Sequence, residues 1–129
     1  VAFRSVDPAA LVWETRPHAE GEPARHVAEL NEALATEHLR ANIWRYEPGA
    51  AGRRHVHAEQ EEMFVVLSGT LTMYLDEPPE RVEVPVGGVI RVGPGTPLQT
   101  ANHGAYDLLV FATGYPPDEG ATVLESAVA

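Results

Sequence analysis

The stretch Gly49-Ala-Ala-Gly-Arg-Arg-His55-Val-His57-Ala-Glu-Gln-Glu-Glu62-Met-Phe64, continuing through Val65-Val-Leu-Ser-Gly69, decides the reading of this chain. In an extended strand, alternate side chains share a face about 7 Å apart. His55 and His57 therefore project together, and their imidazole tips can meet on one ion. Glu62 opens the apolar run Met63–Leu67 and brings a carboxylate to the same ion if the chain folds back. Two imidazoles and one carboxylate suit zinc, iron or manganese and leave coordination positions open for water or substrate.

Around this stretch, composition narrows the possibilities. The chain has 129 residues, which suits one compact domain with a buried core. Nine basic residues, all arginine, face nineteen acidic ones for a net charge of −10. Arg53-Arg54 is the only adjacent basic pair, so neither nucleic acid nor an anionic membrane is an expected partner. The absence of lysine removes Schiff-base chemistry, and the absence of cysteine removes disulfides, thiol nucleophiles and Cys-ligated zinc. No apolar stretch approaches the roughly 20 residues of a bilayer span. No basic-apolar leader opens the chain, and a cytoplasmic location is the expectation.

Gly and Pro divide the chain into short pieces. Residues 1–25, with Pro8, Pro17 and Pro23, read as an extended arm. Val27, Leu30 and Leu34 recur at helical spacing and predict a short helix over 27–35. Strands follow. Leu39–Glu47 stops at Pro48-Gly49, and the continuous apolar run Met63–Leu67 predicts burial on both faces. Thr70–Leu75 alternates and is expected to form a hairpin with that run across Ser68-Gly69. After a loop at Asp76–Glu80, the runs Arg81–Val84, Val89–Val92, Leu98–Ala101 and Tyr106–Thr113 supply further strands between Gly, Pro and Asn turns. Many short strands at regular spacing argue for a closed or sandwiched β fold. Beyond Tyr115-Pro-Pro an acidic tail is expected on the surface.

These motifs resemble those of the cupins, small β-barrels built from two linked motifs. The first is Gly, five residues, His-x-His, three or four residues, Glu, six residues, Gly; it is matched completely by Gly49, His55, His57, Glu62 and Gly69. Glu61 is a rival carboxylate, but only Glu62 lies the required distance before Gly69. The second motif is Gly, five residues, Pro-x-Gly, two residues, His, three residues, Asn. Gly87, Gly95 and Asn102 match it, with Gly93 where Pro is usual and Leu98 where the third His is usual. The resemblance covers residues 40–113. It implies an all-β fold: a cupin-like double-stranded β-helix (jelly-roll) barrel over 39–115. An N-terminal extended arm with one short helix (1–38) would pack on it, and a C-terminal tail (116–129) would follow. It further implies a divalent metal ion (Fe, Mn, Zn or Ni) held by His55, His57 and Glu62, a small-molecule ligand and a homodimer.

Leu98 cannot ligate, so either three protein ligands hold the ion or the ion is absent and the remaining His and Glu bond each other. Gln99 becomes an additional ligand if an irregular strand start rotates it inward; His103 would need the chain to curl back. Arg45, Tyr46, Phe64, Leu98 and Tyr106 are candidate pocket residues, and Trp44 and Tyr74 join either pocket or core. On strand 39–47, Asn42, Trp44 and Tyr46 share one face, and Ala41, Ile43 and Arg45 the other. The Pro48–Arg54 loop breaks the phase between this strand and the motif. An inward Arg40 or Arg45 would favour an anionic substrate. His18, His26 and His38 are expected on the surface. Three function classes follow. One is a metal-dependent enzyme with oxygenase- or isomerase-type chemistry on a small organic molecule. Another is a metal-free isomerase, dehydratase or cyclase using a motif His or Glu62 as base. The third is a non-catalytic small-ligand-binding module.

Overall fold

The alternation of apolar and polar residues is realised as short strands in two antiparallel sheets, seen in a computed structural model that describes residues 2–117 and 120–128. The larger sheet runs in the order β1 (Trp13–Thr15), β2 (Arg25–Glu29), β3 (Arg40–Tyr46), β10 (Leu108–Tyr115), β5 (Glu61–Ser68) and β8 (Val89–Val92). The smaller runs in the order β11 (Thr122–Val123), β4 (His55–Val56), β9 (Leu98–Ala101), β6 (Leu71–Leu75) and β7 (Glu80–Val84). Their inner faces share one apolar core, with Tyr46, Phe64, Val66, Leu71, Met73, Leu98, Leu108 and Val110 buried in it. The expected all-β double-stranded β-helix with one short helix, α1 (Asn31–Leu34), is what the structure has. No helix among the described residues is long and apolar enough to cross a membrane.

Three local expectations are corrected. The helix over 27–35 shrinks to the single turn of α1, closed by Ala35 in the left-handed conformation at φ 52°. Residues 25–29 are instead β2, paired with β1 on one side and β3 on the other. That pairing satisfies the backbone on both edges and fully buries the adjacent Val27 and Ala28, where one helical stripe would bury only part of such a pair. The arm is accordingly tied down: β1 extends the larger sheet, after a 3-10 turn at Pro8–Ala10.

The hairpin across Ser68-Gly69 is also absent. The turn is there, but β5 pairs with β10 and β8, whereas β6 pairs with β7 and β9. Gly69 lies at φ 80°, and a Cβ there would sit 3.0 Å from the Asp107 carbonyl oxygen. The chain turns hard against the Asp107–Leu108 backbone and crosses from one sheet to the other. Finally, Met63–Leu67 is buried on one face only. Phe64 and Val66 point into the core, while Met63 and Leu67 are exposed at 45% and 46%. Its outward face belongs to an apolar row in register across the larger sheet: Trp13, Ala28, Ile43, Phe111, Val65 and Val89.

A polar clamp holds the added strands to the end of β3. Glu47 accepts the Ala24 N–H through Oε1 at 3.2 Å and contacts His26 Nε2 through Oε2 at 2.7 Å. The other ring nitrogen of His26 meets the Thr15 hydroxyl at 2.8 Å. His26, expected on the surface, is therefore mostly enclosed. Its hydrogen bond holds the Glu47 carboxyl below the ordinary value of 4.5, with the Ala24 N–H adding to the effect. The unfolded chain binds the proton more readily, so this contribution to stability is present above pH 4.5 and is lost as pH falls through the lowered folded value. Chemical denaturation across the acid range should show a shallower loss for Glu47→Gln, which has no such proton to take up. Equal slopes for the two proteins would mean that the clamp is not coupled to folding.

Candidate metal centre

Register places the site. Arg40 lies opposite Gly114 on β10, and Gly114 opposite Glu62 on β5. Asn42, Ala112 and Phe64 form the next row inward-facing, two residues along. Phe64 is in the core, so the face of β3 carrying Arg40, Asn42, Trp44 and Tyr46 lines the interior. From β3 the chain crosses to the smaller sheet, where His55 on β4 pairs directly with Leu98 on β9. The donor atoms of His55, His57 and Glu62 lie within 4.8 Å of one another. The imidazole rings stand edge-on, 4.8 Å apart between centroids. His57 Nε2 is 3.2 Å from Glu62 Oε1. Donors each about 2.0–2.2 Å from a shared ion lie roughly 3–4 Å apart, so small side-chain rotations gather this set onto one cation. The cluster sits in the wall of a cavity of about 1130 Å³ between the sheets.

The electrostatics fit a cation. His55 Nδ1 lies 2.8 Å from the Arg53 carbonyl oxygen, which can only accept, so Nδ1 carries the proton and Nε2 keeps a lone pair. Burial pushes the His55 pKa below its usual value, with the Arg53 bond opposing; the ring is neutral, as a ligand must be. Burial pushes Glu62 up, with the neighbouring His57 and Arg40 opposing. Despite its contact with His57, Glu62 Oε1 is buried without a hydrogen-bond partner. A buried carboxylate oxygen lacking a donor costs free energy that a metal ion would offset. The residues present therefore fit a divalent ion, which His55, His57 and Glu62 could hold.

The other sequence candidates divide. Tyr46, Phe64 and Leu98 line the cavity. Arg45 does not: it projects from the opposite face of β3, paired with Asp107 at 3.2 Å and lying over the Trp13 ring. Tyr106 is 83% exposed on the loop before β10, because strand pairing begins only at Leu108. Gln99 is buried but faces away from the cavity, where its amide donates to the Gly52 carbonyl and the Ser126 hydroxyl and accepts from the Ala127 N–H. With Leu98 facing in, strand alternation turns Gln99 out, and it is not placed to ligate. His103 bonds Tyr74 at 2.9 Å outside the cavity. Sequence reasoning missed Gln60, which is 1% exposed beside Glu62 and packs where a Cβ on Gly114 would fall, 2.7 Å from its Cδ. Its position two residues before Glu62 was the available signal. Arg25 was missed as well, since its segment read as arm and helix.

Two facing sheets with converging imidazole and carboxylate donors define a small double-stranded β-helix protein with a candidate metal centre. A family model described as the cupin domain matches residues 42–113, and the chain belongs to the cupin family. Among solved structures it is similar to a sugar phosphate isomerase of the cupin superfamily from Silicibacter pomeroyi (21% identity over 96% of this chain and 82% of that one, TM-score 0.78). It is also similar to a predicted oxalate decarboxylase from Thermotoga maritima (20% identity, 88% and 99% covered, TM-score 0.75). A third is an uncharacterized conserved protein with a double-stranded β-helix domain from Klebsiella pneumoniae (23% identity, 86% and 90% covered, TM-score 0.67). At these identities the likeness is one of fold. No curated protein sequence matches the chain.

Leu98 is 2% exposed and directly opposite His55, which places a side chain at this position beside the donors. Outer-shell partners alone are worth about 10–100-fold in metal affinity, so Leu98→His, adding a direct donor, should raise affinity by at least that order. Competition titration against a chelator measures it. Unchanged affinity would show that position 98 does not reach the ion.

Proposed function

We propose that this protein is a metal-dependent cupin enzyme that holds a divalent ion with His55, His57 and Glu62 and acts on a small organic molecule in the barrel cavity. The observation that carries the reading is the convergence of three donors, one a buried carboxylate oxygen without a hydrogen bond, on the cavity wall. Bound there, the ion would polarise a substrate oxygen as a Lewis acid. Around it Phe64, Leu71 and Leu98 keep the inner wall apolar. On the same wall the hydroxyls of Tyr46 and Thr100 are hydrogen-bonded at 2.6 Å, placing a proton donor within the cavity. That pair supports isomerase-type proton transfer over oxygenase chemistry.

Protein purified without chelator should contain one equivalent of a divalent metal by mass spectrometry, and His57→Ala should lose it. Saturation with metal at a hundred times the dissociation constant should stabilise the fold by about 2.7 kcal/mol. Acidification to below the ordinary imidazole value of about 6.5 should release the ion, because ligation needs the neutral ring and burial keeps His55 neutral to lower pH. A metal-free protein whose melting temperature no divalent ion changes would defeat the proposal. It would favour the metal-free enzyme, with Glu62 as base.

We also propose that the protein is a homodimer. The family resemblance supports this, and so does the apolar row through Ile43, Phe111, Val65 and Val89, flanked by exposed Met63 and Leu67. The row carries no charge in a chain of net −10, and a two-fold contact would pair it with itself. Light scattering should give twice the chain mass, falling to the chain mass in Val65→Asp. A monomeric wild type would overturn it.

A further inference from the structure

Outside the donor cluster, the cavity wall is cationic. Arg16, Arg25, Arg40 and Arg53 line it, four of the nine arginines in a strongly acidic chain. The described acidic residues on that wall are Glu22, Glu29 and Glu62. Arg16 is taken up by Glu29 at 3.3 Å. Among the described residues, no carboxylate pairs with Arg25, Arg40 or Arg53. Arg25 and Arg40 are half-buried, and a half-buried guanidinium without a carboxylate partner is a ready partner for an anion.

Both are built into the fold. Arg25 lies over the Trp44 ring at 5.3 Å and over the Tyr46 ring at 5.8 Å. A guanidinium drawn to aromatic rings by cation–π attraction still has N–H groups to offer an oxyanion. Arg40 stands in the row Arg40–Gly114–Glu62, and its charge acts on both Glu62 and His55. It therefore faces the donor cluster from the neighbouring wall.

We propose that the cavity binds a small organic oxyanion, a carboxylate or a phosphate ester, through Arg25 and Arg40. This deepens the proposed function by naming its substrate class, and it rests on the cavity being the substrate site. The anionic group takes the guanidinium edges above Trp44 and Tyr46, and the rest of the molecule extends toward His55, His57 and Glu62. Arg53, exposed at the rim, draws the anion in.

Calorimetric titration of the full chain, with and without added divalent metal, tests the assignment with lactate, inorganic phosphate and the neutral amide lactamide. Lactate or phosphate should bind and lactamide should not; binding of one anion alone assigns the ligand to carboxylates or to phosphates. Arg25→Gln and Arg40→Gln should each weaken that binding about tenfold to a hundredfold. Arg45→Gln, on the outer face, should leave it unchanged. Metal content is measured on every variant, and if Arg40→Gln loses metal then Arg25→Gln decides. Lactamide binding as well as lactate, no binding by either anion, or full affinity in Arg25→Gln would each overturn the proposal. Arginine-dependent anion binding in a protein that takes up no metal would sustain it while the metal reading fell. A metal-loaded protein that ignores both anions would do the reverse.

Discussion

The Asn102 side chain, 1% exposed, holds the corner where the two sheets meet. Its amide donates to the carbonyls of Tyr46 and Tyr106, both at 2.9 Å, and its Oδ1 accepts the Gly104 N–H. Its backbone N–H reaches the Ala50 carbonyl, and its carbonyl takes the Gly49 N–H at 2.8 Å. One residue thereby joins the end of β3, the loop leading to β4, the end of β9 and the approach to β10. The bond to the Tyr46 carbonyl is buried, so losing the amide would leave an acceptor unsatisfied at a cost of about 1–3 kcal/mol. The Gly52 N–H, bonded to the Thr100 carbonyl at 2.8 Å, continues the same seam toward His55. The first candidate ligand is thus placed by a polar lock in the sheet corner; Glu62 follows from strand register, and His57 is fixed just beyond β4, where its carbonyl takes the Gly95 N–H at 2.7 Å.

This dependence explains which parts of the molecule were legible in the sequence. Gly49 and Gly69 both take positive φ, at 88° and 80°, where only glycine is comfortable. Between two such corners the spacing of His55, His57 and Glu62 is a local quantity, and it could be read directly. So could the inward Leu98, by counting from Gly95. Pairing partners are not local. The phase of β3 is set by β10, more than half the chain away, so Arg40 and Arg45 could not be sorted into cavity and surface until the register Arg40–Gly114–Glu62 was known. Val27 is in a strand because β1 and β3 are available on either side, which its helical spacing with Leu30 and Leu34 does not reveal. Met63–Leu67 reads as doubly buried because the apolar outer row of the sheet looks like core in one dimension.

Leu98 gives the centre its particular character. An aliphatic side chain opposite His55 leaves one side of the donor cluster without a protein ligand, and on the proposed reading that side is where substrate approaches. Burial lowers the His55 pKa and raises that of Glu62, so it favours the neutral ring that a ligand needs but works against the ionised carboxylate. Arg40 favours ionised Glu62 but disfavours protonated His55, which is the protonation pattern a cation requires. The same guanidinium has no carboxylate of its own among the described residues. On the proposed reading a divalent ion would satisfy Glu62, and an incoming oxyanion would then satisfy the arginine and the excess charge of the ion together. Each occupant would strengthen the site for the other through an interior of low dielectric. In a cavity so arranged, loading with metal and capture of an anion are two halves of one charge balance.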